Sequence, residues 1–219
     1  MNQGYFITGT DTGVGKTWAT LSLIHYFKNQ GKRVAGMKPV ASGCLTERGK
    51  LVNEDALQIQ QHASVNADYD LINPYAFAMP VSPHIAGAKN PVIMEKVLAC
   101  YNQLKASSEI IIVEGAGGWY TPINSQQDIA DLAKALRLPV ILVVAIRLGC
   151  INQAKLTFCA IQQAGIEATG WIAMCSDPQV LCLEETIETI KNAIETPLLG
   201  VLPYTKTADF NFFAQQLRL

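Results

Sequence analysis

The sequence predicts an α/β protein, a single domain over residues 1–219 built on a parallel β-sheet with helices on both faces. Two observations predict this fold class. Continuous Val/Ile/Leu runs alternate with helical segments, and strands that are apolar on both faces are typical of a parallel sheet covered by helices. The 219 residues contain no internal repeat, low-complexity tract or linker, so one domain is the economical interpretation.

The elements are predicted in chain order from apolar runs, caps and breakers. Strands are predicted at 4–9, 33–40, 109–115, 139–145, 169–175 and 197–203. Helices are predicted at 16–31, 53–63, 91–106, 128–137, 152–164 and 183–194. Gly31 is the expected stop of the first helix, and Asn53 the expected cap of the second. The segment 64–90 is rich in Pro, Asn and Ser and is predicted to be a long ordered loop.

Composition excludes several classes of function. The formal charge of −1 gives no electrostatic reason to expect nucleic acid or an acidic membrane as partner. The longest apolar run, at 138–146, is too short to span a bilayer. The six cysteines contain no Cys-x-x-Cys pair, so neither a zinc cluster nor a redox dithiol is expected. The first residues do not read as a signal peptide, which predicts a cytoplasmic protein with reduced thiols.

The stretch Gly9–Thr17, "GTDTGVGKT", follows the first predicted strand and opens the first predicted helix. It ends as a phosphate-binding loop does, but five residues rather than four separate Gly9 from Gly15. Parallel sheets bind ligands beyond the carboxyl ends of their strands, which is where this loop lies. A dinucleotide-binding fold fits less well, because it calls for an acidic residue after the second strand, where this chain has Lys38.

This loop predicts a site for a nucleoside triphosphate and Mg²⁺. The backbone N–H groups of Gly13, Val14 and Gly15 would meet phosphate oxygens, helped by the helix N-terminus. Lys16 would reach the β- and γ-phosphates, and the Thr17 hydroxyl would ligate Mg²⁺. An ordinary strand-to-helix turn is the alternative interpretation.

Further candidates follow other strands at the same edge. Glu114 ends "IIIVE" and Asp55 begins a short helix, so both carboxylates are candidate Mg²⁺ ligands. Lys38 ends the second strand and is expected to neutralise charge on a transferring phosphate. Ser42 lies in the turn that follows and is placed to contact a small substrate. The alternative for Glu114 is a surface carboxylate, and the alternative for Asp55 is an acidic residue that stabilises the first turn of a helix. The alternative for Lys38 is a lysine whose apolar stem is buried while its ammonium reaches solvent.

A second glycine-rich stretch and three histidines complete the candidates. "EGAGGWYTP", residues 114–122, permits close backbone approach to a ligand, although alone it is a weak signal. His25 is expected to be structural, and His62 is expected to be a solvated residue at the end of a helix. His84 is open: bracing a loop is as consistent with the sequence as a catalytic role.

Together these motifs resemble the dethiobiotin synthetases, enzymes of biotin biosynthesis in the P-loop NTPase superfamily. The matching blocks are "GTDTGVGKT", "KPVASG", "NPYAFAMPVSPHIA", "VEGAGGWYTP", "LPVILVV" and "LGCIN". They occur in the family's order and span about residues 4–203. The family's loop has the same Gly-Thr-Asp-Thr opening with the longer spacing.

The resemblance implies a P-loop NTPase fold and a ligase that uses ATP, or another nucleoside triphosphate, with Mg²⁺. The implied substrates are 7,8-diaminopelargonate and CO₂. CO₂ forms a carbamate on one amine, the carbamate oxygen attacks the γ-phosphate, and the second amine closes the mixed anhydride to a cyclic urea. A homodimer that shares its substrate site is also implied.

The resemblance assigns roles residue by residue. The implied catalytic residues are Thr12, Lys16 and Lys38. The implied Mg²⁺ ligands are Thr17, Asp55 and Glu114. The implied nucleotide site consists of Gly13, Val14, Gly15, Lys16, Thr17, Glu114, Gly115, Gly117, Met174 and Pro203. The implied substrate site consists of Thr12, Lys38, Ser42, Gly118, Gly149, Cys150 and Asn152, the last three receiving the substrate carboxylate across the dimer interface.

One position departs from the family. The family commonly places an asparagine near the end of the strand after "GW", where its amide reads adenine, and this chain has Met174 there. A thioether is only a weak acceptor, so weakened or altered base recognition is predicted.

Two other functions remain open at this stage. A partition- or maturation-type P-loop ATPase switch often carries a lysine early in the loop, where this chain has Asp11. An amidotransferase-type synthetase would normally carry a glutaminase domain, for which 219 residues leave no room.

Overall fold

The computed structural model describes residues 3–219 and contains one large parallel sheet. Its strands are β1 (Gln3–Gly9), β2 (Val34–Met37), β7 (Ile110–Glu114), β8 (Val140–Ala145), β9 (Ala168–Met174) and β10 (Leu198–Leu202). Their order is β10-β9-β8-β1-β7-β2, and every pairing between them is parallel. The predicted α/β class is therefore confirmed.

Helices cover the sheet and enclose its apolar strands. They are α1 (Lys16–Lys28), α2 (Glu54–His62), α3 (Tyr69–Ile72), α4 (Pro83–Ala86), α5 (Met94–Ala106), α6 (Ile129–Leu136), α7 (Cys150–Gln163), α8 (Leu183–Ala193) and α9 (Phe210–Gln215). Every residue of β7 and β8 is buried, as a strand between two helical layers requires. Nearly all of the buried apolar side chains in the described residues form one cluster.

The strand predicted at 33–40 is two strands. It ends at Met37, and a separate β3 (Val40–Ser42) pairs with β6 (Tyr75–Phe77) away from the main sheet. Pro39 has no N–H for a continuous ladder, and the N–H of Lys38 bonds to Ile72 O instead. The chain therefore leaves the sheet at Lys38, and the buried side chain of this residue lines a cleft at the carboxyl edge of the sheet.

Other boundaries differ where the pattern is short. The predicted loop 64–90 contains α3, β6 and α4, each of three or four residues and thus too short to show a period. The hairpin of β4 (Leu45–Glu47) and β5 (Lys50–Val52) was not predicted, nor was α9. Helix α7 begins two residues earlier than predicted, after Gly149 at φ 90°. Helix α1 ends at Lys28, three residues before Gly31.

Candidate active site

The N-terminus of α1 opens into a cleft at the carboxyl edge of the sheet. Its N-cap is Gly15 in the left-handed region, at φ 87°, a conformation that favours glycine. Glycine has no side chain to bond the first amides of the helix, so these donors and the positive end of the helix dipole suit an anion. The ammonium of Lys16 donates to the backbone oxygen of Asp11 at 2.8 Å, which folds the loop around this point.

Burial governs the charge of Lys16. Desolvation lowers the pKa of its ammonium to about 8, although the nearby carboxylate of Glu114 acts in the opposite direction. A phosphate ligand would favour the charged form of this lysine, so the site is electrostatically suited to an anion.

Lys38 is the centre of a buried ion cluster. Its ammonium donates to Oδ2 of Asp55 and, at 2.8 Å, to Oε1 of Glu114. The Thr17 hydroxyl donates to the same Glu114 oxygen at 3.0 Å. Burial alone would lower the pKa of Lys38, but the charges and hydrogen bonds of Glu114 and Asp55 outweigh it and raise the pKa above its usual range.

The backbone around this cluster is fixed by hydrogen bonds. The buried side chain of Asn73 donates to the carbonyl of Lys38 at 2.7 Å. Asn53 caps α2 as predicted, its side chain accepting from the N–H of Ala56 at 3.1 Å, and so fixes the turn that carries Asp55.

The second glycine-rich loop packs against the first. A Cβ at Gly118 would lie 3.7 Å from the carbonyl oxygens of Gly9 and Thr10, so the two loops run side by side. Gly117 has φ 63°, and a side chain there would clash with Thr121 at 2.3 Å. Glycine at this position therefore permits the close approach of Thr121. Close approach of this loop to a ligand stays a prediction.

The cleft contains buried polar atoms that lack a hydrogen-bond partner. Within residues 3–219, Ser42 Oγ, Trp119 Nε1 and Glu114 Oε2 are buried without a hydrogen bond. Such atoms are costly unless a ligand or water bonds them. The cleft measures about 1240 Å³, above the ~300–1,000 Å³ typical of a pocket for one small molecule. It has room for more than one reactant.

Comparison with known proteins decides the family. A family model described as "AAA domain" matches residues 3–210. The chain is 42% identical over 220 residues to the ATP-dependent dethiobiotin synthetase BioD of Xanthomonas axonopodis pv. citri, covering 100% of this chain and 98% of that protein. It is 44% identical over 204 residues to the protein of the same name from Xylella fastidiosa strain M12, covering 92% and 90%. The chain belongs to the dethiobiotin synthetase family.

Solved structures agree on the fold. The signal recognition particle receptor FtsY from Elizabethkingia anophelis superposes with a TM-score of 0.56 at 16% identity, covering 99% of this chain and 65% of that one. The MinC:MinD complex of Aquifex aeolicus gives 0.59 at 15% identity, covering 98% and 86%. At such low identity these two likenesses show the fold alone.

The structure brings together most residues that the likeness to dethiobiotin synthetases implied. Those lining the cleft are Thr12, Gly13, Gly15, Lys16, Thr17, Lys38, Ser42, Asp55, Glu114, Gly117 and Gly118. Val14 is buried below the loop and Gly115 lies against Phe6 and Ile129. These two therefore support the loops from behind.

Besides Val14 and Gly115, five further implied residues lie outside the lining of this cleft. Met174 ends β9 and packs beneath the phosphate loop, where a Cβ on Gly15 would meet its Cγ at 2.6 Å. Pro203 follows Leu202, which pairs with Met174. Gly149, Cys150 and Asn152 form the N-terminal turn of α7, beside the fully exposed Leu148. The resemblance implied that these three residues bind the substrate carboxylate across a dimer interface. That role stays a prediction.

Sequence reasoning missed two residues, one that lines the cleft and one that contacts its phosphate loop. Arg147 pairs with Asp11 of the loop at 3.4 Å across 136 positions of sequence. Trp18 lines the cleft and packs on Phe213 of α9, with ring centroids 5.4 Å apart. The sequence of the first predicted helix, which begins "K-T-W", identified Trp18 only as an apolar residue. No local sequence pattern links Asp11 to Arg147.

The residues present fit a magnesium ion that is shared with a nucleotide. Within residues 3–219, no group of three or more His, Cys, Asp or Glu could hold a metal by itself. Two carboxylates and a hydroxyl do converge, and Glu114 Oε2 is buried there without a partner. Mg²⁺ typically takes one or two carboxylates and completes its shell with water and substrate phosphates.

Proposed function

We propose that the chain catalyses ATP-dependent closure of 7,8-diaminopelargonate with CO₂ to dethiobiotin, through a carbamate and a carbamic-phosphoric anhydride. The observation that carries this proposal is the convergence of Lys16, Lys38 and Glu114 in the cleft of a chain that is 42–44% identical to dethiobiotin synthetases. The names of these relatives support a synthetase and give no support to a nucleotide switch.

The first chemical step needs positioning and charge stabilisation. One amine of the substrate attacks CO₂ and loses a proton to give the carbamate. A carbamate oxygen then attacks the γ-phosphorus, and the bond to the nucleoside diphosphate breaks. Lys16 and Lys38 stabilise negative charge on the transferring group, while Thr12 orients it from the loop. The amines are themselves nucleophiles, so the reaction needs no covalent enzyme intermediate.

Thr17, Asp55 and Glu114 would hold Mg²⁺. When bound, the ion would supply charge neutralisation at the nucleotide phosphates. The chain's own contribution is to fix these oxygens at the end of β7 and at the starts of α1 and α2.

The second step closes the ring. The other amine attacks the carbonyl carbon of the anhydride, phosphate leaves, and the amine proton is released. Ser42 and Gly118 lie at the cleft wall, where they would hold the diamine. The buried, unpartnered hydroxyl of Ser42 supports this placement.

The proposal includes a homodimer that shares its substrate sites. Gly149, Cys150 and Asn152 would offer the N-terminus of α7 to the carboxylate of a substrate bound to the partner. Exposed apolar side chains lie nearby: Leu148 is fully exposed and Leu156 on α7 is 63% exposed. Sedimentation at assay concentration should give twice the chain mass, and full turnover by a monomer would contradict this part of the proposal.

The proposal includes a cytoplasmic location, and the six free cysteines are consistent with a reducing compartment. Across residues 3–219, no helix is long and apolar enough to cross a membrane. Neither nucleic acid nor a membrane is an expected partner.

The direct test is product formation. Protein, Mg²⁺, ATP, bicarbonate and 7,8-diaminopelargonate are incubated, and dethiobiotin is sought by mass spectrometry. Dethiobiotin should form only in the complete mixture. Nucleotide hydrolysis at an unchanged rate without the diamine and bicarbonate would favour a switch and overturn the proposal.

A further inference from the structure

The expected metal ligands are already bridged by a cation of the chain. The ammonium of Lys38 donates to Asp55 and, at 2.8 Å, to Oε1 of Glu114. Thr17 Oγ1 donates to the same oxygen of Glu114 at 3.0 Å. The three groups assigned to Mg²⁺ therefore gather around one lysine nitrogen.

We propose that Lys38 is a resident cation, which occupies the carboxylates of Asp55 and Glu114 in the nucleotide-free protein and is displaced from them when a divalent cation binds with the nucleotide. This proposal rests on the proposed function of the same site and extends it. It gives one lysine two successive partners: the carboxylates first, and the transferring phosphoryl group afterwards.

Burial makes the resident cation necessary. Glu114 is fully buried and Lys38 is 6% exposed, whereas the side chain of Asp55 is 38% exposed, so water solvates Asp55 in part but does not stabilise the charge of Glu114. A buried carboxylate without a counter-charge is strongly destabilising. Lys38 therefore stabilises the empty site, holding in place two acidic groups that would otherwise repel each other.

The same charges oppose a free divalent cation. An ion that approaches the two carboxylates meets the Lys38 ammonium within a few ångströms, and like charges at that separation repel strongly at low dielectric. A nucleotide removes this obstacle because its phosphates supply anionic oxygens to which the ammonium can turn. Divalent cation and nucleotide are therefore expected to bind together, with free Mg²⁺ bound weakly.

Only the side chain has to move. The backbone N–H of Lys38 bonds to Ile72 O, and its carbonyl accepts from Asn73 Nδ2 at 2.7 Å. The strand end is thus fixed, and the four-carbon stem provides the rotation. Glu114 Oε2 is buried and unpartnered, so this carboxylate has an oxygen for a metal before the ammonium has left.

The test is Mn²⁺ binding to the nucleotide-free protein, measured by the EPR signal of the free ion. Lys38→Met should bind Mn²⁺ at least about tenfold more tightly than the wild type, since the competing charge is gone. Lys16→Met is the matched control: it removes a lysine of the same cleft whose ammonium bonds to Asp11 O rather than to the carboxylates. Its change should be under about threefold. Equal affinities for wild type and Lys38→Met, or equal gains in both variants, would overturn the proposal.

Thermal unfolding gives a second readout for the same variant. Lys38→Met should melt lower than the wild type without metal, and Mn²⁺ should raise its Tm more than it raises that of the wild type. If the variant does not fold, a crystal structure of the wild type with Mg²⁺ and a non-hydrolysable ATP analogue decides. Lys38 Nζ should then have left at least one carboxylate; retention of both bonds beside a bound metal would overturn the proposal. Dethiobiotin formation by the wild type is measured separately, so failure here leaves the proposed function standing.

Discussion

Helix α1 carries a polar cluster at each end, and the two clusters serve different purposes. At the N-terminal end, Lys16 and Thr17 face the cleft and the buried ion cluster of Lys38. Near the C-terminal end, roughly 13 Å further along the axis, Nε2 of His25 is hydrogen-bonded to Nδ1 of His62 at 2.8 Å, and Nδ1 of His25 to Asn211 at 2.9 Å. The second cluster joins α1 to α2 and α9.

The two clusters differ in whether their buried polar groups all have hydrogen-bond partners. The N-terminal cluster contains buried charge and a carboxylate oxygen, Glu114 Oε2, that has no hydrogen-bond partner in the described part of the chain. Both features are typical of a site that binds a ligand. The histidine cluster is closed by its own hydrogen bonds and by aromatic packing on Phe210. Changes at the first end should therefore alter catalysis, and changes at the second should alter stability.

The largest effect is expected on stability, at helix α9, which contacts both His25 and Trp18 of α1. Phe213 of α9 is fully buried and contacts Trp18, so Phe213→Ala should lower the free energy of unfolding by about 3–5 kcal/mol. Urea unfolding measures the loss. Phe212→Ala, on the same helix but 40% exposed, is the matched control and should cost far less. Equal losses in the two variants would show that α9 is not docked as described.

The next effect belongs to the catalytic end. Lys16→Ala, or Lys38→Ala, should reduce turnover by about 10²–10³, because each removes a donor from the transferring phosphoryl group. Steady-state kinetics on folded protein is the measurement. Lys28→Ala tests the other end of the same helix, where the ammonium donates to His62 O at 2.6 Å, and should leave turnover unchanged. Near-native turnover in Lys38→Ala would refute its catalytic role.

A smaller effect concerns the base of the nucleotide. Met174 packs beneath Gly15, and a thioether cannot read a base by donor and acceptor as an amide does. We expect kcat/KM for ATP to exceed those for GTP and CTP by less than about 10³-fold, since apolar contacts discriminate weakly. A larger preference would mean that other groups read the base.

The smallest effect is a pH dependence of stability at the histidine cluster. Burial first, then the charges of His25 and Lys28, lower the pKa of His62 below its usual value. The unfolded chain therefore binds a proton more readily, and the free energy of unfolding should fall as pH drops below about 6.5. His62→Gln should remove this part of the slope in urea titrations. An identical slope in wild type and variant would contradict the assignment.

The two ends also differ in how well the sequence predicts them. "GTDTGVGKT" and Glu114 could be placed because a loop motif and a strand end each have a fixed position in a parallel sheet. The placement of Lys38 succeeded although its strand was predicted three residues too long, since the chain leaves the sheet at that residue. The positions of these residues at the edge of the sheet were therefore largely predictable from local sequence pattern.

Helix α9 and the contacts of the histidine cluster could not be predicted from local sequence pattern. Helix α9 has six residues, less than two turns, so its apolar positions show no period. The contact of His25 with Asn211 joins positions 186 residues apart. The Asp11–Arg147 ion pair is hidden for the same reason, and neither the Lys38–Asp55 bond nor its competition with a metal follows from any spacing.

The transfer of an oxygen atom from bicarbonate to phosphate tests most directly whether the site at the N-terminal end of α1 catalyses ring closure at the expense of a nucleotide. Turnover is started with ¹⁸O-labelled bicarbonate in unlabelled water and stopped before the label exchanges. If a carbamate oxygen attacks the γ-phosphorus, each phosphate released should carry one ¹⁸O and the cyclic urea should retain another. Phosphate without ¹⁸O, formed while the bicarbonate is still labelled, would mean attack by water and would contradict the account.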